Sequence, residues 1–303
     1  MELSVVIPVY KNRELFLKNL AHNYPFLQKH EVIIIDDAYD PKLEKIIHER
    51  YPSIIYLKND VNLGFAGTVN KGVKKAQGEY IFLLNSDVKL LDAHFEKAVV
   101  SLQKDKRLFA VSFMQKEKNG ELVGKNTIFF RRGFLFHRKV KDTRPDINGW
   151  AEGGASIVRK QYFDELDGFD TLYAPFYWED IDLSYRAYKR GWRVLFDPGI
   201  LVEHHHESTI GKYFDKRRVK TIAFRNQLIF MWKNIADGDL FLSHLFFLPF
   251  HMVYCASKKE WEFFLGLWKA LFYIPSVWQK RRSGVDNNMF SDREVLRIFT
   301  HTS

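Results

Sequence analysis

The sequence predicts an α/β protein: a mostly parallel sheet flanked by helices, followed by a helical extension. Three observations carry this reading. Strand and helix patterns alternate three times and close on a fourth strand within the first 84 residues. The strands are near-continuous apolar runs, as expected of a sheet covered on both faces. Beyond about residue 211, strand signals fade and helical, aromatic segments dominate.

Residues 3–9 (LSVVIPV) form a buried-type strand, and Asn12 is placed to cap a helix with Phe16, Leu17 and Leu20 inward. Residues 31–35 (EVIII) form a second strand ending at Asp36-Asp37. Asp40 followed by Pro41 marks a helix start, with Leu43, Ile46 and Ile47 as its apolar stripe. A third strand is expected over 54–57. A helix over 66–77 turns Ala66, Val69, Val73 and Ala76 inward and stops at Gly78. The fourth strand, 79–84, ends at Asn85-Ser86-Asp87. Further on, strands are expected at 108–114, 127–136 and 155–158, with a hairpin turn at Asn119-Gly120 and a mobile polar loop over 137–148. A helix over 181–190 has Asp180 near its start and Gly191 at its end, and 193–196 and 200–206 read as extended.

Composition narrows the function classes. The 303 residues are 46% hydrophobic and 27% charged, which excludes global disorder. The single cysteine, Cys255, excludes a disulfide framework and a cysteine-rich zinc site. The net charge of +9 with 16% aromatics points to nucleic acid, a membrane surface or an anionic small substrate. Splitting the chain helps. Residues 211–303 carry +7 and 19 of the aromatics, while residues 1–210 carry only +2. Nucleic-acid binding is not expected, because the basic residues alternate with long aliphatic runs and no nucleic-acid motif is present. The N-terminal apolar run is short, lacks a basic leader and reads as a strand, not a signal peptide. The apolar stretch from Leu240 to Ala256 is interrupted by Ser243, His244, Pro249 and His251, so a spanning helix is not expected.

In parallel sheets, ligands bind at the carboxyl ends of strands, and Tyr10, Asp36-Asp37 and Asn85–Asp87 fall there. Asn85-Ser86-Asp87 has two readings: a plain turn, or a carboxylate holding a divalent cation against a diphosphate. One Asp is a thin metal site. Glu203-His204-His205-His206 offers a second ligand, with His204 and His206 on one face if the chain is extended there. His204 is the first choice and His206 the second; exposed filler is the alternative. In Trp178-Glu179-Asp180-Ile181-Asp182, Asp180 is either an N-cap or a general base partly desolvated beside Phe176, Tyr177 and Trp178. Asp36-Asp37 is either a strand-end turn or a nucleotide contact. Asn62-Leu63-Gly64-Phe65-Ala66-Gly67 is glycine-rich but is neither GxGxxG nor a P-loop, which disfavours dinucleotide chemistry.

Taken together, SVVIPVYKN, IIIDDAYD, NLGFAGTVNKG, GEYIFLLNSD, WAEGGASIVRK, FYWEDIDLSYRAYKRGW and VEHHHEST resemble, in order and spacing, family 2 glycosyltransferases. The likeness covers about residues 2–210, and NLGFAGTVNKG with WEDIDLSYR is similar to the rhamnosyltransferase-type branch. The resemblance implies a GT-A catalytic domain over 1–210, with 211–303 as a basic, aromatic extension. It implies a nucleotide-sugar donor bound by Pro8, Tyr10, Asp37, Asn62, Gly64, Asn70, Asn85, Ser86 and Asp87. Asn85-Ser86-Asp87 stands where that family's DxD motif lies, so Asp87 would hold Mg²⁺ or Mn²⁺, with His204 or His206. Asp180 matches the catalytic base of an inverting transfer. Gly153, Gly154, Trp178 and Glu179 fall on the acceptor side. The acceptor implied is a saccharide, free or polyprenyl-linked, in surface polysaccharide synthesis. Rhamnose is the first donor candidate, and the alternatives are a UDP-hexose-using transferase of the same fold or a catalytically inactive membrane-associated scaffold.

The extension has two readings of its own. Trp261, Phe264, Leu265, Trp268, Leu271 and Phe272 form a wide apolar face near Lys216-Arg217-Arg218 and Lys280-Arg281-Arg282. One reading is packing on the catalytic domain or in a homodimer. The other is peripheral contact with the inner face of the cell membrane, which places the protein in the cytoplasm.

Overall fold

A computed structural model describes residues 2–204, 213–285 and 288–300, and the side chains of 282–285 lie outside that description. The strands are β1 (Leu3–Val9), β2 (Glu31–Asp36), β3 (Ile55–Lys58), β4 (Tyr80–Leu84), β5 (Val88–Leu90), β6 (Leu108–Lys116), β7 (Leu122–Val123), β8 (Asn126–Arg131), β9 (Phe134–Lys139), β10 (Asp146–Ile147), β11 (Ala155–Arg159) and β12 (Arg193–His204). The helices, numbered here in chain order among the described residues, are α1 (Arg13–Leu27), α2 (Pro41–Arg50), α3 (Gly64–Lys75), α4 (Glu96–Lys104), α5 (Lys160–Glu165) and α6 (Glu179–Lys189). The extension adds α7 (Lys216–Asn234), α8 (Gly238–Ser257), α9 (Trp261–Leu271), α10 (Ile274–Val285) and α11 (Asp292–Ile298).

The main sheet runs β10-β12-β6-β11-β4-β1-β2-β3. Strands β3, β2, β1 and β4 are parallel and fully or partly buried, which meets the expectation from their apolar runs. β11 enters antiparallel between β4 and β6, while β12 lies parallel to β6. One core cluster packs α1, α2 and α4 on one face of the sheet. The other packs α3 and α6 on the opposite face and continues into Leu228, Phe230 and Met231 of α7.

Several local expectations hold and several change. Asp40 caps α2 through the backbone N–H groups of Lys42 and Leu43, with Pro41 following. Asn12 stands before α1 at φ 51° and makes no side-chain cap. Gly78 is not the stop of α3, which ends at Lys75. A Cβ there would come within 2.7 Å of the Ser4 backbone nitrogen, so glycine is needed for close passage against β1. The expected strand 127–136 is two strands, β8 and β9, joined by Arg132 at φ 46° and Gly133 at φ 76°. Arg-Gly is not among the usual hairpin signals, so the turn was invisible in the pattern. The polar stretch after residue 137 is partly ordered as the end of β9 and as β10.

α8 is long and apolar enough to cross a membrane by length and composition, with Ser243, His244, Pro249 and His251 interrupting its apolar run as the sequence indicates. The extension does not stand apart. Trp178 and Tyr185 pack on Phe230 of α7, and Tyr185 and Lys189 bond to Asp292 of α11.

Candidate active site

The strand ends meet at a cavity of about 260 Å³. Its walls include Pro8, Tyr10, Asp37, Asn62 and Gly64, then Asn85, Ser86 and Asp87, and finally Gly153, Gly154, Glu179, Asp180 and His204. Segments spread over nearly 200 residues of sequence therefore converge on one pocket.

The acidic turn is fixed from two sides. Asn19 of α1 donates from Nδ2 to the Ser86 carbonyl (3.1 Å), and Asn23 donates to the Val88 carbonyl (2.9 Å). The Leu90 N–H donates back to Asn23 (2.9 Å). On the other side, the Asn85 N–H donates to the Gly154 carbonyl (3.0 Å). A Cβ on Gly154 would lie 2.2 Å from Asn85 Nδ2. Gly154 thus lets the chain lie against this turn, while Gly153 makes room for the Phe65 ring.

β5 follows the turn and pairs with the end of β12, placing His204 opposite Val88. His204 Nε2 then stands 3.3 Å from Asp87 Oδ1, both side chains being nearly buried. His204 Nδ1 is 2.6 Å from Gln115 Oε1. With that amide oxygen as partner, the imidazole donates from Nδ1 and turns the Nε2 lone pair toward the carboxylate. Asp87 Oδ1 and His204 Nε2, 3.3 Å apart with the ring fixed from behind, are the two side-chain atoms that could hold a divalent cation. No group of three or more His, Cys, Asp or Glu suited to a metal occurs among the described residues. Such a cation would take its remaining ligands from diphosphate and water. His206 lies outside the described residues.

Asp36 and Asp37 divide the two roles the sequence left open. Asp36 is the structural one, accepting from the Ala38 and Asp40 N–H groups and from the Tyr56 hydroxyl. Asp37 lines the cavity and accepts from the N–H groups of Leu63 (2.7 Å) and Gly64 (3.0 Å) and from Asn59 (2.8 Å). Asp37 therefore shapes the 62–64 loop. Gly64 has φ +69°, and its Cβ position lies 3.1 Å from the Pro175 backbone, so a side chain is doubly disfavoured.

The acid cluster begins α6. Asp180 is not the N-cap, since the helix starts at Glu179, and Trp178 precedes it with φ 78° and no side-chain cap. Tyr177 also has a positive φ, 72°. Two consecutive non-glycine residues in this region store strain of the kind found at functional loops. Asn226 of α7 holds the loop, its Nδ2 lying 2.8–3.0 Å from the carbonyls of Tyr173, Phe176 and Tyr177. Burial, then the charges of Glu179 and Glu152, push the Asp180 carboxyl well above its ordinary range. Burial raises Glu179 to about 7, and its Oε2 has no partner among the described residues. A carboxylate whose affinity for a proton is raised and which opens on a cavity suits proton abstraction.

Two expected site residues lie elsewhere. Asn70 does not line the cavity. It exchanges hydrogen bonds with the Phe169 backbone (2.8 and 2.9 Å), which ties α3 to the loop ahead of α6. Trp178 is buried on Phe230 and His137, because its positive φ swings the ring into the core. Glu152 was missed. It lines the cavity, accepts from Asn126 Nδ2 (2.6 Å), and is raised by burial. Its signal was present in Trp150-Ala151-Glu152-Gly153-Gly154, where only the glycines drew notice. A second cavity of about 310 Å³ is lined by Asp170, Arg186, Lys233 and Lys280, which already pair among themselves and with Asp182.

The family model described as glycosyl transferase family 2 matches residues 4–167, more than half of the chain. The chain belongs to that family. Among curated relatives, it is 23% identical to the N-acetylglucosaminyl-diphospho-decaprenol L-rhamnosyltransferase of Mycobacterium tuberculosis, over 60% of this chain and 68% of that protein. It is 25% identical to the rhamnosyltransferase WbbL of Escherichia coli, over 70% of this chain and 86% of that one. Among solved structures, GalNAc-T7 with UDP, GalNAc and Mn²⁺ superposes with a TM-score of 0.62 at 16% identity, covering 78% of this chain and 48% of that chain. The mannosyltransferase PcManGT of Pyrobaculum calidifontis, in complex with GDP-Man and Mn²⁺, gives 0.55 at 16% identity, over 99% and 84%. These likenesses establish the GT-A fold.

Proposed function

We propose that this family 2 glycosyltransferase performs an inverting, metal-dependent transfer from a nucleotide-diphosphate sugar to a saccharide or lipid-linked saccharide in surface polysaccharide synthesis. The observation that carries the reading is the placement of the His204–Asp87 pair and Asp180 on one cavity. Rhamnose is the first donor candidate, supported by the two rhamnosyltransferase relatives. A UDP-linked hexose is the second. Relatives named poly-β-1,6-N-acetyl-D-glucosamine synthase, 24% identical, are the reason to test it. In this reading, residues 1–210 form the catalytic unit, and the extension contacts the inner face of the cell membrane.

Asp87 and His204 would hold Mg²⁺ or Mn²⁺, which neutralises charge developing on the leaving diphosphate. Asp37 and the 62–64 loop build the nucleoside end of the pocket, with Pro8 and Tyr10 beside them. Asp180 takes the proton of an acceptor hydroxyl. That oxygen forms a bond to the anomeric carbon as the carbon–oxygen bond to the diphosphate breaks on the opposite face. The electron pair leaves with the nucleoside diphosphate, and the anomeric configuration inverts.

A screen of nucleotide-sugar hydrolysis with Mg²⁺ and Mn²⁺ tests the donor without knowledge of the acceptor. Release of nucleoside diphosphate from one donor, lost with chelator, is expected; no release from any donor would count against the reading. Asp180→Asn should abolish transfer and keep donor binding. Normal turnover in that variant would remove Asp180 from the base role.

A further inference from the structure

The extension leaves an unusual amount of apolar side chain in the open. Eleven of the twenty exposed large hydrophobic residues among the described part lie on α8, α9 and α10, and a twelfth, Phe272, caps α9. On α8, Leu242, Leu245, Phe246, Phe250 and Val253 recur every three or four residues, which makes one stripe along the helix. Phe246 and Val253 are 64% and 71% exposed. On α9, Trp261, Leu265, Trp268 and Leu271 repeat the same spacing.

The opposite face of α8 is docked on protein. His244 donates from Nδ1 to the Gly133 carbonyl (2.8 Å) and accepts from Trp232 Nε1 (3.0 Å). His251 bonds the Arg132 carbonyl (2.9 Å), and Phe134 meets both imidazoles edge-on. A Cβ on Gly133 would lie 2.7 Å from the Ser243 carbonyl, so the helix rests directly on the hairpin turn. A helix anchored this way along its length lies on the protein and does not cross a bilayer as an isolated span.

Positive charge borders the stripe. Arg131 and Arg132 sit at the hairpin tip, Lys258 and Lys259 form the turn into α9, and Lys269 follows Trp268. The nearby acids are already engaged, Glu260 by Lys220 (3.0 Å), Glu262 by Arg217 (3.2 Å) and Asp239 by Arg293. Such a rim repels a second copy of itself and attracts anionic headgroups.

We propose that the outward stripes of α8 and α9 form a monotopic bilayer-docking face, with the β8–β9 hairpin tip as its basic edge. This sharpens the membrane contact proposed above by naming the face. It also reaches the site: the same hairpin carries His137, whose ring packs on Trp150 (5.3 Å) and Trp178 (5.5 Å), the neighbours of Glu152 and Glu179. The acceptor side and the lipid face thus share one packed unit, as a lipid-linked acceptor requires.

The test is co-sedimentation of the full chain, purified without detergent, with phosphatidylcholine vesicles with and without phosphatidylglycerol. Two variants alter only exposed positions: Phe246→Ser with Phe250→Ser, and Arg131→Glu with Lys258→Glu. Wild type should partition onto the anionic vesicles. The first pair should lose roughly tenfold or more on both vesicle types, and the second should lose mainly the response to phosphatidylglycerol. Equal binding by wild type and both variants would reject this face while leaving membrane contact intact, and no binding by wild type would reject both. A wild-type dimer that the first variant breaks, without vesicle binding, would assign the face to a second copy. A requirement for detergent during purification would overturn it in favour of a spanning helix. Donor hydrolysis by the same variants reports the glycosyltransferase reading separately.

Discussion

At the residue scale, the proposed metal pair depends on a neighbour with no chemistry of its own. His204 needs Gln115 to fix its ring, and second-sphere partners of this kind carry about 10- to 100-fold in metal affinity. Gln115→Ala should therefore weaken Mn²⁺-dependent nucleotide binding by about that factor, measured by calorimetry with and without metal. Glu179 illustrates the opposite effect. Its raised carboxyl, about 7, means that the folded state holds the proton more tightly than the unfolded chain. Its contribution to stability is complete below the ordinary value of 4.5 and is lost as pH rises through about 7. Glu179→Gln should remove that slope, so the variant should gain on wild type in thermal melts between pH 5 and pH 8, the range spanned by a carboxyl raised to about 7. A gap that does not change with pH would show that Glu179 ionises normally.

At the scale of elements, the site is made by segments that lean on one another across the sheet. α1 supplies Asn19 and Asn23 to the acidic turn, β5 brings His204 to it, and Gly154 lets β11 approach. The segment leading into α6 depends on α7. Asn226 is fully buried and serves three carbonyls of the strained Tyr173–Tyr177 stretch. Replacing it leaves buried carbonyls without their donor, at about 1–3 kcal/mol. Asn226→Ala should lower the unfolding free energy by that amount and should reduce transfer more than it weakens donor binding, as denaturant titration and steady-state kinetics would show. An unchanged rate in a destabilised protein would confine Asn226 to stability.

At the scale of the whole molecule, the C-terminal helices are bonded to the α/β part by buried charge. Asp182 accepts from Tyr173, Arg186, Lys233 and Asn234, and Lys233 also pairs with Asp170. Despite the cost of burial, Arg186 and Lys233 hold the Asp182 carboxyl well below its ordinary range. Its contribution is present above about pH 4 and is lost as pH falls further. Asp182→Asn leaves two buried cations short of a partner and should cost about 3–5 kcal/mol at pH 7, with the deficit shrinking below pH 4. Urea unfolding at both pH values measures it. The same network means that part of the +7 of the extension is consumed inside the molecule, and only the remainder borders the apolar stripes.

The sequence by itself determined the parallel half of the sheet and most of the cavity wall. Apolar strands bounded by turn residues leave little choice of topology, and a strand end is where a ligand binds. Asp87 and the Asp36-Asp37 pair were legible for that reason, and Asp180 and His204 from their own acid and histidine clusters. The motifs also carried the family. Only the tertiary structure decided which of Asp36 and Asp37 faces the cavity, that Asn70 and Trp178 turn away from it, and that Glu152 joins it. It alone split 127–136 into a hairpin and seated α8 on that turn. The physical reason is that strand and helix periods report burial, whereas the direction of a turn side chain is set by a few degrees of φ and by partners a hundred residues away.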